Sequence, residues 1–150
     1  MSELVIRKEI EIDAPASTVW KVLTENEFIP QYMFNCVTET DWRPGSPLVW
    51  RGAADGKLYV KGNIVAVEAP NLLMYTVIDP NSTIPDTPAN YLTMTFSLKP
   101  KKDHSSVLEV TQGDFRTVAE GQRRYQDTLD GDDMVLQGIK KVAEALVLAR

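Results

Sequence analysis

Residue types that do chemistry are sparse in this chain. Its one histidine, His104, sits in the charged run Lys101-Lys102-Asp103-His104-Ser105-Ser106. A general base needs a cleft, and a charged hairpin tip offers solvent instead, so His104 reads as a solvated imidazole. The one cysteine, Cys36, has no histidine near it in sequence, and one His with one Cys falls short of the usual zinc set. It reads as a small buried hydrophobe. The glycines form no phosphate-cradling loop, since Gly131 and Gly138 fall within a helical pattern. P-loop, dinucleotide and hydrolytic-triad chemistry are thereby excluded, and neither a metal nor a cofactor nor a catalytic residue is expected.

What remains are polar groups on apolar faces. Over residues 123–150, Tyr125, Leu129, Leu136, Ile139, Ala143 and Leu146 recur at spacings of threes and fours, an apolar stripe with Lys140, Lys141 and Glu144 on the far side. Asp132 lies seven residues before Ile139, on the same face. If the helix is continuous from about Glu120, Asp132 is a buried carboxylate whose pKa is raised by desolvation, with Arg123, Arg124, Tyr125 or Gln112 as candidate partners. If the helix begins at Gly131, Asp130 is its N-cap, and Asp132 and Asp133 are favourable acids of its first turn. Gln112 shares the inward register of Leu108 and Val110. It either needs an interior hydrogen-bond partner or ends its strand near solvent or backbone.

These residues need elements to position them. Alternation over residues 4–12 predicts a strand with Leu4, Ile6, Ile10 and Ile12 inward, and Lys8 as the exception in that register. Asp13 is an N-cap candidate for a short helix carrying Val19, Trp20, Val22 and Leu23, with Pro15 in its first turn and its end near Thr24. A second short helix is expected from about Asn26, carrying Phe28, Ile29, Tyr32, Met33 and Phe34. Strands follow near residues 37–41 and 48–51, with a turn at 42–45 between them. Asp55-Gly56 signals a type I′ hairpin into a strand over 57–68, where Gly62 marks a bulge or bend. The next strand spans 72–78. Residues 79–90 hold Pro80, Pro85 and Pro88, which exclude regular pairing, so this is a loop that either gates a pocket mouth or crosses as a polar connection. Strands at 91–98 and 107–113 precede the C-terminal helix. A sheet of such strands must curve around that helix to cover its stripe, and a cavity tends to open between them.

At 150 residues and 43% hydrophobic composition, the chain has the size of a single domain with a core. The net charge of −5 without a basic run argues against nucleic acid and against an anionic membrane. The opening residues show no apolar signal core and no run reaches spanning length, so a cytoplasmic location is expected. Monomer and homodimer both remain open.

The segment Ile12-Asp-Ala-Pro-Ala-Ser-Thr-Val-Trp-Lys-Val-Leu-Thr24 resembles the opening of the helix-grip superfamily of START domains, Bet v 1 and polyketide cyclases. The runs Arg43-Pro-Gly-Ser-Pro47 and 62–76, then Thr111-Gln-Gly-Asp-Phe115 and Met134-Val-Leu-Gln-Gly-Ile-Lys-Lys141, resemble one branch, named for the activator of heat-shock-protein-90 ATPase homologue. The resemblance covers about the whole chain. It implies an α+β fold, a curved seven-stranded antiparallel sheet gripping a long C-terminal helix, with two short helices after the first strand. Asp132 and Val77 stand where this branch usually or often carries Trp, which implies a larger and more polar cavity if both face inward.

The leading expectation is a non-catalytic domain holding a small apolar or lipid-like molecule between sheet and helix. Its lining candidates are Trp20, Tyr32, Trp50, Tyr75, Val77, Met94, Phe96, Gln112, Phe115, Asp132 and Leu136. The family name implies a second role, binding the heat-shock chaperone and stimulating its ATPase, an activity of proteins with a further N-terminal domain. A third is a polyketide cyclase or aromatase-like enzyme with Asp132, Tyr75 and Gln112 as acid–base candidates.

Overall fold

The structure is a computed structural model that describes residues 4–101, 104–130 and 134–148. Strand β1, Ile6–Ile12, alternates as its sequence requires, with Arg7, Glu9 and Glu11 exposed and Ile6 and Ile12 buried. Helix α1, Ala16–Thr24, starts one residue after Pro15, whose carbonyl accepts the amides of Thr18 and Val19. Asp13 is not its cap. A residue preceding proline is pushed to extended backbone, so Ala14 cannot be helical and Asp13 lies too far back to reach the first turn. Its amide instead donates to Glu144 Oε2 on the last helix, at 2.9 Å.

The second short helix is a single 3₁₀ turn, Ile29–Gln31. Asn26 does not begin it. The Asn26 side chain is committed to Thr38, donating to its carbonyl oxygen at 2.8 Å and accepting from its amide at 2.8 Å.

Six strands follow: β2 Cys36–Glu39, β3 Pro47–Gly52, β4 Leu58–Glu68, β5 Leu72–Val77, β6 Leu92–Pro100 and β7 Ser106–Gly113. They form one antiparallel sheet in the order β1-β7-β6-β5-β4-β3-β2, so the first strand joins the meander by pairing with the last. The sheet stays open rather than closing into a barrel. Its curvature has local causes. A Cβ on Gly62 would overlap the Thr76 carbonyl, so only glycine permits that approach of β4 to β5, and a bulge follows between Ile64 and Ala66. The tip at residues 53–56 is not a two-residue type I′ turn. Only Gly56 is left-handed, at φ +69°, and the Gly52 amide reaches the Lys57 carbonyl across a four-residue loop.

The C-terminal stripe lies on two helices, α2 Gly121–Asp130 and α3 Met134–Leu148. Helix α3 packs on α1, on β1 and over the concave face through Leu136, Ile139 and Ala143. Gly138 lets it sit against Tyr32, since a Cβ there would come within 2.6 Å of the Tyr32 Cβ. A smaller cluster of Ile6, Leu92, Phe115 and Val118 lies toward α2, where Phe115 meets Tyr125 edge to face.

The loop over 79–90 is a pinned crossing. Asn81 Nδ2 donates to the Leu58 carbonyl, Asp86 pairs with Lys61 and accepts from Tyr91, and Asn90 Oδ1 accepts from the Ala119 amide.

Candidate functional site

Three registers define the concave face. One row runs Ile6, Gln112, Met94, Tyr75 across β1, β7, β6 and β5; the next runs Lys8, Val110, Phe96, Leu73; a third runs Ile10, Leu108, Leu98. Between the first two rows and the N-terminal part of α3 lies a cavity of about 240 Å³. Its walls are Ile6, Met33, Met94, Phe96, Val110, Val135 and Leu136, with Lys8, Tyr75, Gln112 and Thr128 as the polar members. An adjoining void of about 20 Å³, room for roughly one water, is bounded by Tyr32, Trp50, Tyr75, Phe96 and Ile139 among others. A surface groove of about 420 Å³ lies beyond Trp50, lined by Met33, Phe34, Cys36, Trp50, Tyr59 and Val60. Met33 alone lines all three spaces.

The aromatic wall is continuous. The Trp50 and Tyr75 rings lie 5.1 Å apart and the Tyr75 and Phe96 rings 5.6 Å apart, within ordinary aromatic pairing range. Burial pushes the Tyr75 hydroxyl well above the usual phenol range. Burial, and then proximity to Tyr75, does the same to Tyr32, whose hydroxyl donates to the Val22 carbonyl at 2.8 Å. Both stay protonated at neutral pH, and neither is a base there. Burial also raises the Cys36 thiol, with Asp55 adding to it, which keeps the thiolate scarce.

The expected lining residues divide. Tyr75, Met94, Phe96, Gln112 and Leu136 meet at the cavity, while Tyr32 and Trp50 border the neighbouring void. Trp20 and Val77 are half-buried packing residues outside these walls. Phe115, fully buried, belongs to the smaller cluster under α2. Asp132 lies outside the described residues, as does the junction that decides between its two readings. Ile6, Lys8, Met33, Val110, Thr128 and Val135 line the cavity and are not among the expected lining residues. Lys8 had a signal, an inward charge on an apolar strand; Met33 had none, because its place depends on how the chain turns after residue 31.

Among the described residues, neither a carboxylate nor an imidazole lines the cavity, and no three metal-ligating side chains converge. None of the described helices is long and apolar enough to cross a membrane. The arrangement can enclose an apolar body and offer it hydrogen bonds at one side.

The solution structure of a Cytophaga hutchinsonii protein is similar at 32% identity and TM-score 0.72, covering 98% of this chain and 99% of that one. A Plasmodium falciparum HSP90 activator shares the fold at 14% identity and TM-score 0.60, covering 73% of this chain and 72% of that one. The Aha1 dimer from Colwellia psychrerythraea shares it at 13% identity and TM-score 0.67, covering 93% and 96%. The comparison with curated proteins returned no match. Residues 13–144 match the family described as Activator of Hsp90 ATPase homolog 1-like protein, and the chain belongs to that family.

Proposed function

We propose that this domain holds a small, largely apolar molecule in the cavity between its sheet and α3, without transforming it. One observation carries the reading: a space of about 240 Å³ between the sheet and α3, lined mainly by apolar side chains. The pocket is partly open to solvent, and an apolar guest that fills it gains dispersion contacts with seven apolar side chains. The chain's titratable chemistry agrees, since Tyr75 stays protonated and Gln112 cannot ionise.

The test is displacement of a polarity-sensitive dye, alongside native mass spectrometry of the purified protein. Wild type should bind the dye, and Met94→Trp, which fills the cavity, should weaken binding at least about tenfold. Equal binding by both, or none by wild type, would sink the reading.

The family match supports a second reading, a partner that stimulates the heat-shock chaperone's ATPase. It predicts faster ATP turnover by the chaperone when this chain is added, and an unchanged effect from Met94→Trp. The cyclase-like reading instead needs turnover of a polyketide-type substrate that falls with Tyr75→Phe.

A further inference from the structure

The polar groups that line the cavity are not equivalent. Lys8 already has an interaction of its own, and the Thr128 hydroxyl donates to the Arg124 carbonyl at 2.9 Å. Gln112 has no hydrogen-bond partner among the described residues, but it is half-buried, so water at the cavity mouth can serve its amide. Tyr75 differs from all three. It is 6% exposed, and its hydroxyl too has no hydrogen-bond partner among the described residues.

No fully buried side-chain nitrogen or oxygen among the described residues lacks a partner, so a partnerless hydroxyl must border open space. Tyr75 lines two such spaces, the cavity of about 240 Å³ and the adjoining void of about 20 Å³. Its ring packs against Trp50 and Phe96, at 5.1 and 5.6 Å between centroids, which holds the hydroxyl oxygen in place and leaves only its proton to turn. The wall around it, Met33, Met94, Phe96 and Val135, is apolar and offers it no acceptor.

A guest that fills the cavity expels the water that could otherwise reach this hydroxyl, and a purely apolar guest would leave it unpaired. One acceptor atom on the guest is enough, since the hydroxyl carries one proton. A carbonyl oxygen supplies that atom and brings no proton that would need a partner in turn. Size narrows the guest further. An apolar cavity of 150 Å³ accommodates benzene, six non-hydrogen atoms, so about 240 Å³ accommodates about ten.

Building on the ligand-binding reading, we infer that the cavity takes a compact, largely apolar ketone or aldehyde of about ten non-hydrogen atoms, whose carbonyl oxygen accepts from the Tyr75 hydroxyl. Tyr75 then selects for the carbonyl among molecules of one shape, and the methionines adapt to the rest of the body.

The test uses the whole chain and two probes of one shape, acetophenone and α-methylstyrene, in which a methylene replaces the carbonyl oxygen. Water expels the hydrocarbon more strongly, so each probe is compared between proteins rather than with the other probe. Tyr75→Phe should weaken acetophenone binding at least about fivefold by calorimetry and leave α-methylstyrene within about twofold. The infrared carbonyl stretch of bound acetophenone should lie at lower frequency in wild type than in Tyr75→Phe, because a hydrogen bond weakens the C=O bond. Since the hydroxyl has no partner in the empty protein, Tyr75→Phe should not lower the urea midpoint. Equal changes for both probes, a carbonyl frequency that the substitution does not move, or a lowered midpoint would overturn the Tyr75 assignment and leave the cavity reading standing. Dye binding by wild type without acetophenone binding would do the same; no binding of dye or of either probe would remove both.

Discussion

The two ends of the same sheet-and-helix contact are built differently. At the closed end, where β1 finishes and β7 begins, Ile12, Ala14, Val19, Val22, Leu108, Ile139 and Ala143 are fully buried. Ser106, also fully buried, donates its hydroxyl to the Ala14 carbonyl at 2.8 Å. Lys140 donates to the Glu11 carbonyl at 3.0 Å and to Glu144 Oε2 at 2.6 Å, and that oxygen also accepts from Asp13. At the open end, along the row from Ile6 to Tyr75, Met94 and Gln112 are only half-buried around the cavity. The strands are the same; the third layer is not. Helix α1 has 9 residues and α3 has 15, so at 1.5 Å per residue α1 is about 13 Å long and α3 about 22 Å. Near the start of α3 the described neighbours include the irregular chain around Tyr32 and Met33.

That contrast predicts unequal costs for similar truncations on β7. Leu108→Ala, at the closed end, should lose about 2–5 kcal/mol through transfer and cavity terms. Val110→Ala, two residues along on the same face, should lose only about 1 kcal/mol, because its neighbours already face open space. Urea denaturation with unchanged slope would measure both. Equal losses would mean that the two ends are packed alike.

Acid should loosen the closed end in a way that the cavity does not share. Desolvation raises the Glu144 carboxyl, and the hydrogen bonds from Lys140 and the Asp13 amide outweigh it, so it titrates below its ordinary value in the folded protein. The unfolded chain therefore binds this proton at higher pH than the folded one, near about 4.3. The stabilisation is complete above that value and is lost as pH falls through the folded pKa beneath it. Glu144→Gln should lower stability at pH 7 by roughly 1 kcal/mol and flatten its decline below about pH 5, measured by denaturation across pH. A decline of unchanged steepness would transfer the acid sensitivity to Asp41, Asp55, Asp86 and Asp114, each also held low by hydrogen bonds.

Strand alternation made much of this legible in advance. Met94, Phe96, Val110 and Gln112 share one face because the side-chain period of a strand is two, and Lys8 stood out against the same period. The pattern could not show how far the facing layer stands off, so Phe115 and Met94 look alike in sequence. One is fully buried under α2 and the other borders a cavity. Asp13 misled because its cap chemistry is right and its distance is wrong, a matter settled by Pro15 two residues later. The pattern predicts a helix through Met33 where the structure has a 3₁₀ turn that ends at Gln31, and the left-handed residues Phe34 and Asn35 then swing the chain into β2.

Met33 also gives the mildest way to probe the open end. Phe34 beside it is 70% exposed and lines the outer groove, and Met33 lines both that groove and the inner cavity, which makes it one candidate way between them. Met33→Leu conserves volume and should change stability by less than about 1.5 kcal/mol. Leucine is branched and has fewer rotatable bonds than methionine, so it moves aside less readily. If guests pass this way, association and dissociation of a bound dye should slow together, by several-fold, with the equilibrium constant nearly unchanged, as stopped-flow mixing would show. Unaltered rates would place the entrance elsewhere along α3, and a changed equilibrium constant would make Met33 part of the binding wall rather than the way in.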